Sequence, residues 1–146
     1  MKPEFMLEAL NAAENSGGDI PIGAVIVKDN EIIAKACNER EKTQNSSGHA
    51  EILAIQRAEA ELQTCRLDGC SLYVTLEPCP MCAAAILYAK IKTVCFGAYD
   101  TLYGALGSKI DMREIMKMPL EVKGGIMEEK CSKILKDYFE RLRLQK

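Results

Sequence analysis

The 146-residue sequence contains no apolar run of the ~18 residues that a bilayer-spanning helix needs. Its opening, Met1-Lys2-Pro3-Glu4-Phe5, reaches Glu8 with two acids and no apolar stretch, unlike a secretory signal. These two absences predict a cytoplasmic protein without a membrane partner, in which thiols stay reduced. No internal repeat, low-complexity tract or linker divides the chain. An excess of charge is missing too. The formal net charge is -2, which excludes a protein that coats nucleic acid nonspecifically but leaves room for a local basic patch. Histidine is the scarcest ionisable residue, present once, at position 49.

What is present fits a globular protein. The composition is 48% hydrophobic and 27% charged, far from that of a disordered chain. The length predicts one domain spanning residues 1–146. A chain of this size buries about two-thirds of its unfolded surface and needs no staples. There are seven cysteines, an odd number that cannot close a complete set of intrachain disulfides. Reduced cysteines are core filler, metal ligands or nucleophiles.

Apolar periodicity and turn residues give the order of elements. Pro3, Phe5, Met6, Ala9, Leu10 and Ala13 recur at helical spacing, and residues 15–19 end that helix. Residues 22–28 and 32–37 read as strands joined at Asp29-Asn30. A polar loop covers 38–48 and a helix 49–62. A strand at 71–76 is stopped by Pro78, and an almost wholly apolar helix follows at 80–90. Then come a strand at 93–98, a Gly-rich loop at 99–108, a short helix at 111–118, an edge strand at 120–126 and an amphipathic helix at 128–144. A hairpin followed by strand-helix-strand units predicts a mixed sheet with helices on both faces.

One constellation carries chemistry. His49-Ala50-Glu51 opens one helix and Pro78-Cys79-Pro80-Met81-Cys82 opens another. An imidazole and two thiols are donors suited to zinc. The i, i+3 spacing of Cys79 and Cys82 puts both sulfurs on one side of a first helical turn, where the helix dipole favours thiolate. Three ligands leave a zinc position for water, and Glu51, two residues from His49, can move that water's proton. Other readings exist. A fourth ligand from Cys37, Cys65, Cys70, Cys95 or Cys131 would make a closed, structural site, and Cys79 with Cys82 alone could be a redox pair. Neither gives Glu51 a task, and the redox pair leaves His49 without one. The other five cysteines read as core (Cys37, Cys70, Cys95) or as incidental positions in a loop (Cys65) and on the last helix (Cys131).

His-x-Glu followed by Pro-Cys-x-x-Cys resembles the signature of the zinc-dependent nucleobase and nucleoside deaminases. Over residues 21–143 the chain is similar to the bacterial tRNA-specific adenosine deaminases. The likeness includes the first strand around Pro21-Ile22-Gly23, Asn38 after the second strand and the run from Tyr73 to Cys82. It continues through Gly97-Ala98-Tyr99-Asp100, Gly104-Ala105-Leu106-Gly107-Ser108 and Tyr138-Phe139 with Arg141 and Arg143. The resemblance implies an α/β protein with the three-layer α/β/α cytidine deaminase-like fold and a mixed five-stranded sheet. It implies one Zn2+ per subunit held by His49, Cys79 and Cys82, with Glu51 as the catalytic proton carrier. The implied reaction is hydrolysis of adenosine to inosine at the wobble position of a tRNA anticodon loop, where the base is already unpaired. Asn38 would then hydrogen-bond the purine, and backbone groups near Leu76 and Glu77 would position the attacking water. Asp100 would touch the sugar or backbone beside the target base. Phe139, Arg141 and Arg143 would belong to an RNA-contacting helix at about 128–144. Members of that family are homodimers. The zinc motif alone also fits a deaminase of a free base or nucleoside such as guanine or cytosine.

Two features depart from the pattern. The residues before His49 are Asn45-Ser46-Ser47-Gly48, and Gly48 is expected to loosen the start of that helix. The net charge is negative for an RNA enzyme. Against it, the last 17 residues hold Lys130, Lys133, Lys136, Arg141, Arg143 and Lys146 with only Asp137 and Glu140, a local net of +4. That segment is either a phosphate-binding face or a solvated helix with a basic end.

Overall fold

The computed structural model describes residues 2–145. Helix α1 (Pro3–Ala13) begins with proline where no intrahelical N–H is needed, and turns Met6, Ala9, Ala12 and Ala13 inward. Strands β1 (Gly23–Lys28) and β2 (Glu31–Cys37) form a hairpin. Asp29 and Asn30 both take positive φ, 51° and 65°, the mirror-image turn that matches strand twist. Then come α2 (Ala50–Leu62), β3 (Ser71–Leu76), α3 (Pro80–Tyr88), β4 (Thr93–Ala98), α4 (Met112–Met116), β5 (Glu121–Lys123) and α5 (Glu128–Leu144).

The five strands lie in the order β2-β1-β3-β4-β5. β1 runs antiparallel to β2 and β3, whereas β3, β4 and β5 are parallel, with α3 and α4 in the crossovers. Alternate strand residues serve opposite faces. Ala24, Ile26, Leu72, Val74, Val94 and Phe96 meet Ala50, Ala54 and Ala58 of α2 and Ala83 and Ile86 of α3. Val25, Val27, Tyr73 and Cys95 meet Met6 and Ala9 of α1 and Cys131 of α5. The central strands are thus buried on both sides, which explains their continuous apolar sequence. The result is the expected three-layer α/β/α arrangement around a mixed sheet.

Three elements are shorter than the sequence reading by two residues or more. Helix α3 stops at Tyr88, two residues short of Lys90, whose φ is +65°. Helix α4 keeps five residues, between Asp111, which caps it by accepting the Arg113 N–H, and Lys117 in the left-handed region. Strand β5 has three residues instead of seven. The chain leaves the sheet edge at Gly124-Gly125 and then returns one bond, from the Ile126 N–H to the Phe96 carbonyl (3.0 Å).

Candidate active site

The site lies where β2, β3 and β4 end and where α2 and α3 begin. His49 and Cys79 are the N-cap residues of α2 and α3, each with extended backbone, and neither side chain makes a capping hydrogen bond. Caps of this kind usually spend a side-chain oxygen on the first turn. Here the ring and the thiol are free to turn toward one another. His49 Nδ1 stands 3.6 Å from Cys79 Sγ and 3.5 Å from Cys82 Sγ. The donor atoms of all three side chains lie within 4.8 Å of one another. No fourth His, Cys, Asp or Glu joins that group among the described residues. Cys37, Cys70, Cys95 and Cys131 are buried elsewhere, and Cys65 is exposed. This donor set fits a metal ion that keeps one position open, and not a closed structural site.

The donors and Glu51 shift one another's protonation. Hydrogen bonding from Cys82, and less so from His49, draws the Cys79 thiol down to about 4. The same hydrogen bond between the two side chains, with burial, drives Cys82 far above the thiol range. The Cys79 sulfur raises the basicity of His49. Glu51, in the first turn of α2, is only 4% exposed, and burial pushes its carboxyl up to about 7. A carboxyl near neutrality can both take and give a proton.

A cavity of about 310 Å³ opens beside these groups, lined by Ile20, Ile22, Asn38, Arg40, His49, Glu51, Leu76, Glu77, Cys79, Asp100 and Tyr103. Asn38 is buried in its wall. Its amide donates to the Ile20 carbonyl (3.2 Å) and accepts from the Arg40 N–H (3.2 Å). One N–H and one lone pair of that amide remain for a ligand. The Glu77 N–H is taken by the Ala98 carbonyl (2.9 Å), and its carboxylate is turned to the 100–108 loop. Asp100 Oδ1 accepts the N–H groups of Leu102 and Tyr103, both at 3.0 Å, and so folds that loop's first turn. The looseness expected at Gly48 is absent. Its N–H bonds the Asn45 carbonyl and its carbonyl accepts the Glu39 N–H, both at 2.9 Å.

The C-terminal candidates lie elsewhere. Phe139, Arg141 and Arg143 sit on α5 and do not line the cavity. Phe139 packs edge-on against Tyr138, with ring centroids 5.2 Å apart. The Tyr138 hydroxyl donates to the Gly18 carbonyl (2.9 Å), two residues before cavity-lining Ile20. Lys133 is paired with Asp137, while Lys136, Arg141 and Arg143 make no ion pair among the described residues. Lys146 lies outside the described residues. Sequence reasoning did not single out Arg40 and Tyr103, which line the cavity, or Ser108, which binds Glu77. The one available signal was position: Arg40 two residues after Asn38, and Tyr103 and Ser108 inside the Gly-rich loop.

Comparison with known proteins identifies the family. The model of the MafB19-like deaminase family matches residues 4–143. The chain is 44% identical to the tRNA-specific adenosine deaminase of Bacillus subtilis (strain 168), covering 97% of this chain and 91% of that protein. A solved structure from work on A-to-I editing by tRNA:A34 deaminases at the wobble position superposes with a TM-score of 0.85 at 38% identity, covering 92% of this chain and all (100%) of that one. A guanine deaminase from Bacillus subtilis superposes with a TM-score of 0.65 at 40% identity over 80% of this chain and 76% of that one. By its whole-length matches, its cytidine deaminase-like layers and its His-Cys-Cys cluster, the chain belongs to the MafB19-like deaminases and to the family of the tRNA-specific adenosine deaminases.

Proposed function

We propose that residues 1–146 form one zinc-dependent deaminase domain that hydrolyses adenosine to inosine and ammonia at the wobble position of a tRNA anticodon loop. The observation that carries the reading is a buried carboxyl, Glu51, in the wall of a cavity beside three metal-capable donors, with no fourth among the described residues. The choice of tRNA rests on the relatives named for it.

His49, Cys79 and Cys82 would hold one Zn2+ per subunit. When bound, the metal supplies an acidified water as the nucleophile for the ring carbon that bears the amino group. Glu51 would carry two protons in turn, the first from the attacking water to the adjacent ring nitrogen and the second from the hydroxyl then added at that carbon to the departing amine, which leaves as ammonia. Asn38 orients the purine with its free amide capacity. Backbone groups near Leu76 and Glu77 would help position the attacking water, and Asp100 would touch the sugar or backbone beside the target base. Phe139, Arg141 and Arg143 on α5 approach the flanking RNA. An anticodon loop presents its base unpaired, so little unstacking energy is needed. Similarity to the same family supports a homodimer and a cytoplasmic location. No helix among the described residues is long and apolar enough to cross a membrane.

The 40% identity to a guanine deaminase makes free guanine the rival substrate. One experiment separates them. Zinc-loaded protein is incubated with an anticodon stem-loop bearing a wobble adenine, and in parallel with guanine. Inosine in the RNA and intact guanine are expected. Rapid loss of guanine with the RNA unchanged would sink the tRNA reading.

A further inference from the structure

The Glu77 side chain, unlike the backbone beside it, has no task in the deamination, yet its carboxylate is among the most completely used in the molecule. It is 2% exposed. Oε1 accepts the Asp100 N–H (3.1 Å) and the Ser108 hydroxyl. Oε2 accepts the N–H groups of Leu106 (3.2 Å) and Ser108 (3.1 Å). The 100–108 loop therefore closes around one side chain. Space is cut to match. A Cβ on Gly104 would stand 2.5 Å from Glu77 Cδ and 2.3 Å from the Asp100 carbonyl, so only glycine lets the loop approach so closely. The next residue of the same segment adds a bond, from the Ala105 N–H to the Pro78 carbonyl (2.9 Å). One residue farther on is Cys79. The short connection between β3 and α3 thus holds a donor of the metal-capable cluster at one end and the loop at the other. The same loop lends Asp100 and Tyr103 to the cavity wall. Tyr103 is 66% exposed, so its placement comes from the loop backbone and not from packing.

We propose that Glu77 is a positioning residue that sets the substrate-facing wall of the cavity by clamping the 100–108 loop to the connection that precedes Cys79. It acts through Asp100 and Tyr103 and touches neither the reacting atoms nor the metal donors. The proposal rests on the deaminase reading of the cavity, though not on which purine is deaminated. Four donors converge on two oxygens, so the clamp is specific to a carboxylate. In Glu77→Gln one end becomes an NH2 group: in place of Oε2 it loses the N–H groups of Leu106 and Ser108, and in place of Oε1 it loses the Asp100 N–H while the Ser108 hydroxyl must reverse to accept. Bonds to a charged group are among the stronger ones, so the loop opens while the rest of the fold stays.

The test compares wild type, Glu77→Gln, Ser108→Ala and Gly104→Ala as zinc-loaded proteins. Kinetics are read on the stem-loop, or on guanine if that proves to be the substrate. Glu77→Gln and Gly104→Ala are expected to raise KM about 10-fold, with kcat and bound zinc within about two-fold of wild type. Ser108→Ala removes one donor and should raise KM by about two- to three-fold. Glu77→Gln with Ser108→Ala should be little worse than Glu77→Gln alone, because both act on one clamp. Hydrogen exchange gives a readout independent of turnover. The amides of Asp100, Leu106 and Ser108 should exchange faster in Glu77→Gln, with those of α3 unchanged. If Glu77→Gln does not fold, Ser108→Ala and Gly104→Ala decide the matter by the same measures. An unchanged KM with unchanged loop exchange overturns the proposal. So does a fall in kcat that follows loss of zinc, which would place the effect at the metal donors. Failure of the stem-loop assay with turnover of guanine would remove the tRNA reading and leave the clamp to be judged on guanine.

Discussion

A carboxyl buried at the first turn of a helix, two residues from a metal-capable histidine, is costly unless it works. Glu51 is such a group, with its pKa lifted to about 7 by burial. If it carries protons and holds no metal, Glu51→Gln should retain one zinc per chain while turnover falls by at least about 100-fold. Metal analysis beside an inosine assay checks both halves. Loss of zinc in this variant would make Glu51 a ligand, and retained turnover would end its catalytic role. His49, Glu51, Cys79 and Cys82 were legible in the sequence because their meaning is local: spacings of two and three residues at helix starts marked by a polar loop or by proline. Arg40, Tyr103 and Ser108 were not legible because their roles depend on contacts across the fold. Ser108 meets Glu77 from 31 residues away. Gly48 was misjudged for the same reason. Its stiffness comes from Glu39 and Asn45, not from its own freedom.

At the level of elements, long periodic segments could be read directly, and short ones could not. The sequence placed α5 at the observed residues 128–144 and β3 and β4 at 71–76 and 93–98, since each has enough apolar positions to reveal its period. Helix α4 and strand β5 are short because caps and a sheet edge end them, and neither cause shows in apolar spacing. The join between β4 and α5 gives a sharper test of how these elements fit. A Cβ on Gly97 would lie 2.2 Å from Cys131 Sγ and 2.9 Å from the Thr75 carbonyl. The buried Cys131 is therefore part of the core, and α5 rests directly on the β4 backbone. Gly97→Ala should destabilise the fold by about 1–3 kcal/mol, read as a lower urea midpoint with an unchanged slope. Adding Cys131→Ala, which removes the nearest atom but leaves the Cys131 Cβ at 2.7 Å, should recover part of that loss and make the pair non-additive. Simple additivity of the two changes would mean that the contact does not fix how α5 sits on the sheet.

Charge is a property of the whole molecule, and here it opposes the proposed partner. A chain with net -2 repels RNA at a distance, so binding must come from where the charges sit. Helix α5 has the needed asymmetry, with Glu128 and Glu129 in its first turn and Arg141 and Arg143 in its last. That pattern also suits the helix dipole, so charge alone does not assign a role. Placement adds the missing argument. Tyr138 ties α5 to Gly18, and the adjoining Asp19 accepts the N–H groups of Glu41 (2.8 Å) and Lys42 (3.0 Å). Ile20 and Arg40, next in sequence to these anchors, line the cavity. A phosphate held by Lys136 or Arg143 would therefore bear on a segment joined to the cavity rim by short, bonded connections. Each phosphate contact to a single strand releases condensed counterions, which gives a slope of about -0.7 in log K against log salt. Lys136→Glu with Arg143→Glu should then weaken stem-loop binding and make that slope shallower by about 1.4, leaving kcat at saturating RNA and bound zinc unchanged. Weaker binding with an unchanged slope would mean that the substitutions disturb the rim through Tyr138 and not through phosphate. Unchanged binding would leave α5 as a solvated helix whose basic end answers only its own dipole.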